Sequence, residues 1–251
     1  MTPNADFKAR LTGRAPLMGV FVKTPHPIVI EVLGQSGLDL LILDAEHAPF
    51  DRAGIDLCIM AAQAVNCPLL VRVPNAAPDT ILAVLDAGAA GIVVPHVKSA
   101  RDAAEIVRNT RYGKAQGRGF AATTRAGGYG RRSAAEHLSA AAAEVSVICQ
   151  IEDPEGVEHC AAIAATDGVD AVFVGRADLA ISQGLTDFQA PAIGDTCARI
   201  LGETGAATGL FCAPGEDLGR WRDAGASLFI VGSDHALMAQ GARALRDGLD
   251  G

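Results

Sequence analysis

Lysine is scarce in this 251-residue chain: Lys8, Lys23, Lys98 and Lys114 are the only ones, and none follows position 114. Imine chemistry from a lysine on a late element is therefore excluded, and Lys23 and Lys98 are the positions left open to it. The six cysteines, at 58, 67, 149, 160, 197 and 212, include no C-x-x-C pair. They are expected as buried thiols in a reducing compartment. No apolar run approaches the roughly 18 residues of a membrane span. The opening Met1-Thr2-Pro3-Asn4-Ala5-Asp6 also lacks a basic segment leading into an apolar core, so a cytoplasmic location is expected. Basic residues are outnumbered 21 to 29, for a net charge of -8. That balance argues against a nucleic-acid partner.

What the chain does contain is a hydrophobic content of 49% with no linker-like stretch, enough for a sizeable core. Short β-branched or leucine-rich runs alternate with segments of helical length. Strands are expected at Leu17–Val22, Leu40–Leu43, Leu69–Val73, Gly91–Val94, Val145–Ile151, Ala171–Val174, Ala207–Phe211 and Leu228–Val231. Helices are expected near Pro27–Gln35, Arg52–Val65, Pro78–Ala87, Ala100–Thr110, Arg131–Ala143, Pro154–Ala165, Pro191–Thr204, Leu218–Ala224 and Asp234–Asp247. Eight strand-helix units in alternation predict a (β/α)8 barrel forming one domain over residues 1–251. An open doubly wound sheet is the alternative; no early G-x-G-x-x-G turn supports it. Pro27, Pro78, Pro154 and Pro191 suit first helical turns, and Gly88, Gly205 and Gly225 suit helix stops. The Gly/Arg-rich stretch Arg111–Arg132 breaks the rhythm. It is expected on the catalytic rim, reaching toward a neighbouring subunit, or as a solvated loop.

In such a barrel, catalytic groups gather at the C-terminal ends of the strands. The second strand delivers Asp44, Glu46 and His47 into a turn bounded by Pro49. Ionisable groups there need a partner or a chemical task, the alternative being an N-cap and salt-bridge cluster opening the next helix. An acid three residues before His47 can orient the imidazole as a general base. Arg72 closes the third strand, where a guanidinium can fork onto a carboxylate or a developing enolate. Gln150 and Glu152, two apart, end the fifth; Arg176 and Asp178 follow the sixth. With no cysteine-histidine cluster nearby, Glu152 and Asp178 suit a hard divalent ion, Mg2+, Mn2+ or Co2+, or else two separate helix-start acids. His26 and His96 fall on the same face and can contact substrate.

Taken in order, Gly19-Val20-Phe21, Asp44-Ala45-Glu46-His47-Ala48-Pro49, Val71-Arg72-Val73-Pro74, Leu85-Asp86-Ala87-Gly88, Val93-Val94-Pro95, Thr110-Arg111-Tyr112, Gln150-Ile151-Glu152 and Val174-Gly175-Arg176-Ala177-Asp178-Leu179 resemble the HpcH/HpaI family of metal-dependent 2-oxo acid aldolases. The resemblance spans nearly the whole chain. It implies a class II aldolase, a carbon-carbon lyase that reversibly cleaves a 4-hydroxy-2-oxo acid to pyruvate or hydroxypyruvate and an aldehyde. It also implies a homo-hexamer, a trimer of dimers, whose last helix is exchanged between subunits. By motif match, Glu152 and Asp178 would hold the metal, and the oxo acid would chelate it through carboxylate and keto oxygens. Arg72 would stabilise the enolate, and His47, supported by Asp44, would handle the proton. Gln150 and the Gly175, Arg176 and Ala177 backbone would border the donor, and Asp86 would reach a neighbouring subunit's site. Three residues depart from the family's usual wording: Arg176 stands in place of proline, Ala45 of glycine, and His96 of an apolar residue. Arg176 adds a cation beside a metal ligand, there to bind a substrate carboxylate or hydroxyl or to pair with a surface acid.

Two other functions are compatible with these residues. A CoA-ester lyase of the citrate lyase or malyl-CoA type shares the barrel and the carboxylates, and would draw on the Arg111–Arg132 charges to hold a nucleotide tail. A noncatalytic barrel that binds an oxo acid would have no use for the Asp44-His47 pair.

Overall fold

A computed structural model describes residues 1–249; positions 250 and 251 of the expected domain lie outside the described residues. Eight strands close a parallel barrel: β1 (Leu17–Val22), β2 (Leu40–Asp44), β3 (Leu69–Arg72), β4 (Gly91–Val94), β5 (Ser146–Ile151), β6 (Ala171–Val174), β7 (Ala207–Cys212) and β8 (Leu228–Ser233). Each strand pairs with the next, and β8 returns to β1, Leu17 opposite Leu228. The helices are α1 (Pro3–Thr12), α2 (Pro27–Gly34), α3 (Arg52–Ala64), α4 (Pro78–Asp86), α5 (Ala100–Thr110), α6 (Ala134–Glu144), α7 (Pro154–Glu158), α8 (Cys160–Ala164), α9 (Arg176–Ser182), α10 (Pro191–Glu203), α11 (Leu218–Asp223) and α12 (Asp234–Asp247).

Two hydrophobic clusters follow from the period-two geometry of the strands. Leu40, Ile42, Leu70, Ile148, Phe173 and Ile230 fill the barrel interior, while Leu41, Leu43, Val71, Cys149, Val172 and Val174 pack outward against the helices. The sequence pattern did not reveal α1. Thr2 caps it, and its Phe7 and Leu11 join the interior cluster with Leu17, closing the barrel's lower end. The six cysteines are free and buried. Among the described residues no helix is long and apolar enough to cross a membrane.

Proline begins α2, α4, α7 and α10, as its fixed φ favours. Gly88 and Gly225 end α4 and α11 with φ of 93° and 112°, which a side chain would oppose. The helix expected from Arg131 starts instead at Ala134, because Ser133 and Glu136 form a reciprocal capping box. The helix expected over Pro154–Ala165 breaks at His159 into α7 and α8.

The Arg111–Arg132 stretch is not on the catalytic rim of its own barrel. It follows α5 and so starts from the lower, N-terminal end of the strands. There Ala126 donates to the Asp86 carbonyl, and Arg125 binds Asp56 of α3 with 2.9 Å contacts to both carboxylate oxygens.

Gly91 leaves no room for a side chain, since a Cβ there would press on the Ser146 carbonyl of β5. Gly91→Ala is expected to lower unfolding stability by about 1–3 kcal/mol, as overpacking does. Urea unfolding that left the midpoint unchanged would show that β4 and β5 part without cost.

Candidate active site

The residue spacing that fills the interior continues upward into polar groups. Stepping by two from Phe21 reaches Lys23, from Ile42 reaches Asp44, from Leu70 reaches Arg72, from Ile148 reaches Gln150 and then Glu152, and from Phe173 reaches Gly175. Asp44 and Arg72 stand opposite each other in the β2–β3 register. The upper end of the barrel is thus a polar layer seated on an apolar one. It opens into a cavity of about 480 Å³ whose walls include Lys23, His47, Arg72, Gln150, Gly175 and Asp178.

Asp44 is fully buried and organises one side of this layer. Its Oδ1 accepts from Arg72 Nε at 3.0 Å and from the His47 backbone N–H at 3.1 Å, and lies 2.8 Å from Arg72 Nη2. Lys23 Nζ is 3.2 Å from Oδ2. Burial works against the charge, but Arg72, the His47 N–H and Lys23 outweigh it and hold the carboxyl below its ordinary range. Asp44 thus reaches His47 through its backbone N–H and fixes the backbone of the turn. The imidazole, half exposed, has Glu46 as its acidic neighbour, with Nε2 3.7 Å from Oε2. The same Glu46 oxygen is 3.4 Å from Arg72 Nε, and burial raises the Glu46 carboxyl above its usual range.

Glu152 forms the other side and is 1% exposed. Its Oε1 accepts the His96 backbone N–H at 2.9 Å, and its Oε2 accepts from Gln150 Nε2. Burial pushes its pKa up against those two hydrogen bonds, and the charge of Asp178 adds to the rise. A Cβ on Gly175 would strike Glu152 Oε2, so the glycine leaves room around that oxygen. Asp178 enters from the first turn of α9. Three buried oxygens of this layer, Asp44 Oδ2, Glu46 Oε2 and Gln150 Oε1, accept no hydrogen bond among the described residues. An acceptor-rich layer with two mutually repelling carboxylates fits a hard cation that keeps open positions.

The model of the HpcH/HpaI aldolase/citrate lyase family matches residues 17–241. The chain belongs to that family. It is 35% identical over 246 residues to a hydroxypyruvate/pyruvate aldolase of Paraburkholderia phytofirmans, covering 94% of each chain. A 4-hydroxy-2-oxovalerate aldolase of Novosphingobium aromaticivorans is 36% identical over 249 residues, 96% of this chain and 93% of that one. The crystal structure of an HpcH/HpaI aldolase/citrate lyase family protein from Burkholderia cenocepacia superposes with a TM-score of 0.92 at 34% identity, covering 98% and 100% of the two chains. Family and relatives agree on an enzyme of the aldolase type.

Within this HpcH/HpaI member, the Arg176 side chain is placed away from substrate. Arg176 is 0% exposed, and its guanidinium turns into the wall. Nη1 donates to Glu216 Oε1 and Oε2 at 2.8 and 2.9 Å and to the Phe211 carbonyl at 3.1 Å, while Nη2 reaches the Phe188 carbonyl at 3.3 Å. Of the two roles expected for Arg176 it takes ion pairing, with a partly buried acid; Gly175, Arg176 and Ala177 all line the mouth. Asp86, at the end of α4, accepts from Arg118 Nη2 at 3.0 Å and lines a separate groove of about 840 Å³ with Phe50, Asp56, Arg125 and Tyr129. The expectation for Asp86 concerns a neighbouring subunit's site, and Asp86 lies outside the mouth of its own chain.

Lys23 and His96 matter more than the sequence suggested. The position of Lys23 just past β1 was the available signal. His96 takes a left-handed φ of 56°, with Nδ1 3.0 Å from Asp153 Oδ2 and 3.4 Å from Glu152 Oε1. Burial opposes its charge, yet the Asp153 hydrogen bond and the Glu152, Asp153 and Glu46 carboxylates raise its pKa.

The Arg176–Glu216 pair gives this family member a pH-dependent element. Burial disfavours the Glu216 charge, but the Ala213 N–H, the Trp221 indole and Arg176 outweigh it and depress the pKa from 4.5. A depressed carboxylate contributes stability that is complete above its ordinary value and is lost as pH falls through the folded one. Glu216→Gln is therefore expected to flatten the acid-side loss of stability below about pH 5. Glu216→Ala should cost about 3–5 kcal/mol by stranding a buried cation. Identical pH slopes for native protein and Glu216→Gln, measured by urea unfolding, would exclude this contribution.

Proposed function

We propose that the chain is a divalent-metal-dependent aldolase that reversibly cleaves 4-hydroxy-2-oxo acids into pyruvate, or hydroxypyruvate, and an aldehyde. The observation that supports this reading is a cavity lined by the fixed Arg72 guanidinium, His47, Gln150 and Asp178, with the buried Glu152 held by Gln150 and close enough to Asp178 to feel its charge. Glu152 and Asp178 are the residues to hold Mg2+, Mn2+ or Co2+, which when bound supplies Lewis-acid polarisation of the donor's oxygens.

The protein's own groups account for the remaining steps. Arg72, locked by two contacts to Asp44, presents its charge where the keto oxygen becomes negative. Being preorganised, it stabilises that charge without rearranging. His47 accepts the proton of the C4 hydroxyl as the C3–C4 bond breaks and the electron pair moves toward the keto oxygen; the aldehyde leaves, and a proton returned to C3 completes the oxo acid. Gln150 and the Gly175–Ala177 backbone border the donor. Stabilisation then acts on charge present only after bond breaking begins, where it accelerates the reaction.

The CoA-ester alternative loses its basic loop, because Arg111–Arg132 packs along α3 and α4 and supplies no residue to the mouth. The half-exposed His47 at the mouth favours chemistry over binding alone. We also place the chain in a homo-hexamer with exchanged C-terminal helices. In support, only Asp234 of α12 is buried, and Leu237, Met238 and Leu245 are exposed.

With 4-hydroxy-2-oxo acids as substrates, Glu152→Ala and Asp178→Ala are expected to abolish metal-stimulated turnover. Full activity after EDTA treatment would overturn the mechanism. His47→Ala should slow pyruvate α-proton exchange into deuterium oxide by about 10²- to 10⁴-fold. Unchanged exchange would remove His47 from proton transfer, and a borohydride-trapped pyruvate adduct on Lys23 or Lys98 would replace the metal reading with imine chemistry.

A further inference from the structure

Among the described residues, buried side-chain atoms without hydrogen-bond partners include oxygens of the polar layer at the mouth with Arg176 Nε in its wall, isolated atoms of Asn109, Ser146 and Ser227, and a group of nitrogens behind the 111–132 segment: Arg118 Nε and Nη1, Arg125 Nε and His137 Nδ1. Arg118, Arg125 and His137 line one cavity of about 80 Å³, together with Arg132, Glu144 and Gln63.

The most constrained of these donors belongs to Arg118, whose side chain is 1% exposed. Nη2 is engaged by Asp86 at 3.0 Å, and one guanidinium face is covered by Tyr112, 4.3 Å from the ring centre. The Tyr112 hydroxyl interacts with the guanidinium as well, but neither Nε nor Nη1 has a well-formed hydrogen bond, a costly state for a buried cation. Arg125 commits Nη2 to Asp56, and Arg132 Nη1 donates to the Ala126 carbonyl at 3.3 Å and is 3.9 Å from Glu144 Oε2. His137 is 1% exposed, with Nε2 3.3 Å from the Tyr112 hydroxyl. Burial, and then the charges of Arg118 and Arg132, hold its pKa below the ordinary histidine value. Asp56 and Asp86 face the neighbouring groove instead, leaving Glu144 as the one carboxylate among the cavity-lining residues.

We propose that this cavity is a binding site for one small monovalent anion of the chloride class, held by Arg118 Nε–H and Nη1–H with help from Arg125 and Arg132. The three guanidiniums each have a carboxylate neighbour, so the site has little net charge to offer a polyvalent ion; what it offers is unmatched donors in a small space. Size and charge both select a halide. Bound there, the anion ties the 111–132 segment to α4 through Gly88 and to α6 through His137 and Glu144. The same segment carries Arg125 and Tyr129 into the groove that contains Asp86, so anion occupancy sets the shape of that groove. The site is separate from the proposed metal and does not depend on the aldolase reading.

The test uses the full chain without added substrate. Thermal unfolding is followed in sodium chloride and in sodium gluconate at equal ionic strength, gluconate being too large for the cavity. Chloride should raise Tm saturably, by about 3–5 °C at a tenfold excess over its Kd. Crystals grown in sodium bromide should show an anomalous peak within hydrogen-bonding reach of Arg118. Arg132→Gln, a partly exposed change that leaves Arg118 in place, should raise the half-saturating chloride concentration several-fold. Equal Tm in the two salts, or a cavity that holds only water in bromide, would overturn the proposal.

Discussion

The mouth of the barrel depends on one buried carboxylate. Asp44 is fully enclosed, yet it stays ionised because Arg72, Lys23 and the His47 N–H converge on it. Remove that charge and three dependents lose their positions together: the guanidinium loses its fork, the β1 end loses its ion pair, and the turn carrying His47 loses its anchor. A buried ion pair of this kind contributes little net stability, because desolvation of both partners offsets their attraction. Its value is geometric. Arg72 is held by two of its nitrogens, so the catalytic cation is set before any substrate arrives, and reorganisation is avoided.

Much of this was legible because parallel strands in a closed barrel obey a two-residue repeat. Once Leu40 and Ile42 are assigned to the interior, Asp44 must follow them; Leu70 places Arg72, and Ile148 places Gln150 and Glu152. Eight such runs in alternation with helices leave few topologies to consider, and a right-handed crossover rule removes most of those. Strand ends, and with them the polar layer, could be read almost residue by residue.

What escaped reading lies where repeat geometry gives no instruction. Arg176 follows a strand and sits two residues before Asp178, and sequence spacing makes the mouth its natural destination. Its actual course is set by Glu216, forty positions later, and by the Trp221 and Phe188 rings, whose centres lie 4.9 and 5.2 Å from the guanidinium carbon. A long side chain can choose between two faces, and only tertiary partners decide. The Arg111–Arg132 segment failed for a related reason. Its position after α5 implies the lower end of the barrel, but its arginines suggested substrate; their partners, Asp86, Asp56 and Glu144, are dispersed along the chain. At short range, the three-residue spacing from Asp44 to His47 yields a hydrogen bond from the His47 backbone N–H.

The unmatched buried atoms give a final argument about how charge is partitioned in this barrel. Oxygens that have ion-pair neighbours at most, and no hydrogen bond, lie at the upper mouth on Asp44, Glu46 and Gln150, with Arg176 Nε in the wall beside them, whereas a group of nitrogens lies behind the 111–132 segment on Arg118, Arg125 and His137. An interior made only to fold would pair these groups internally, because each unmet donor or acceptor carries a desolvation cost. The oxygens at the mouth leave it able to receive a cation, and the guanidinium nitrogens behind the 111–132 segment make the second cavity rich in donors.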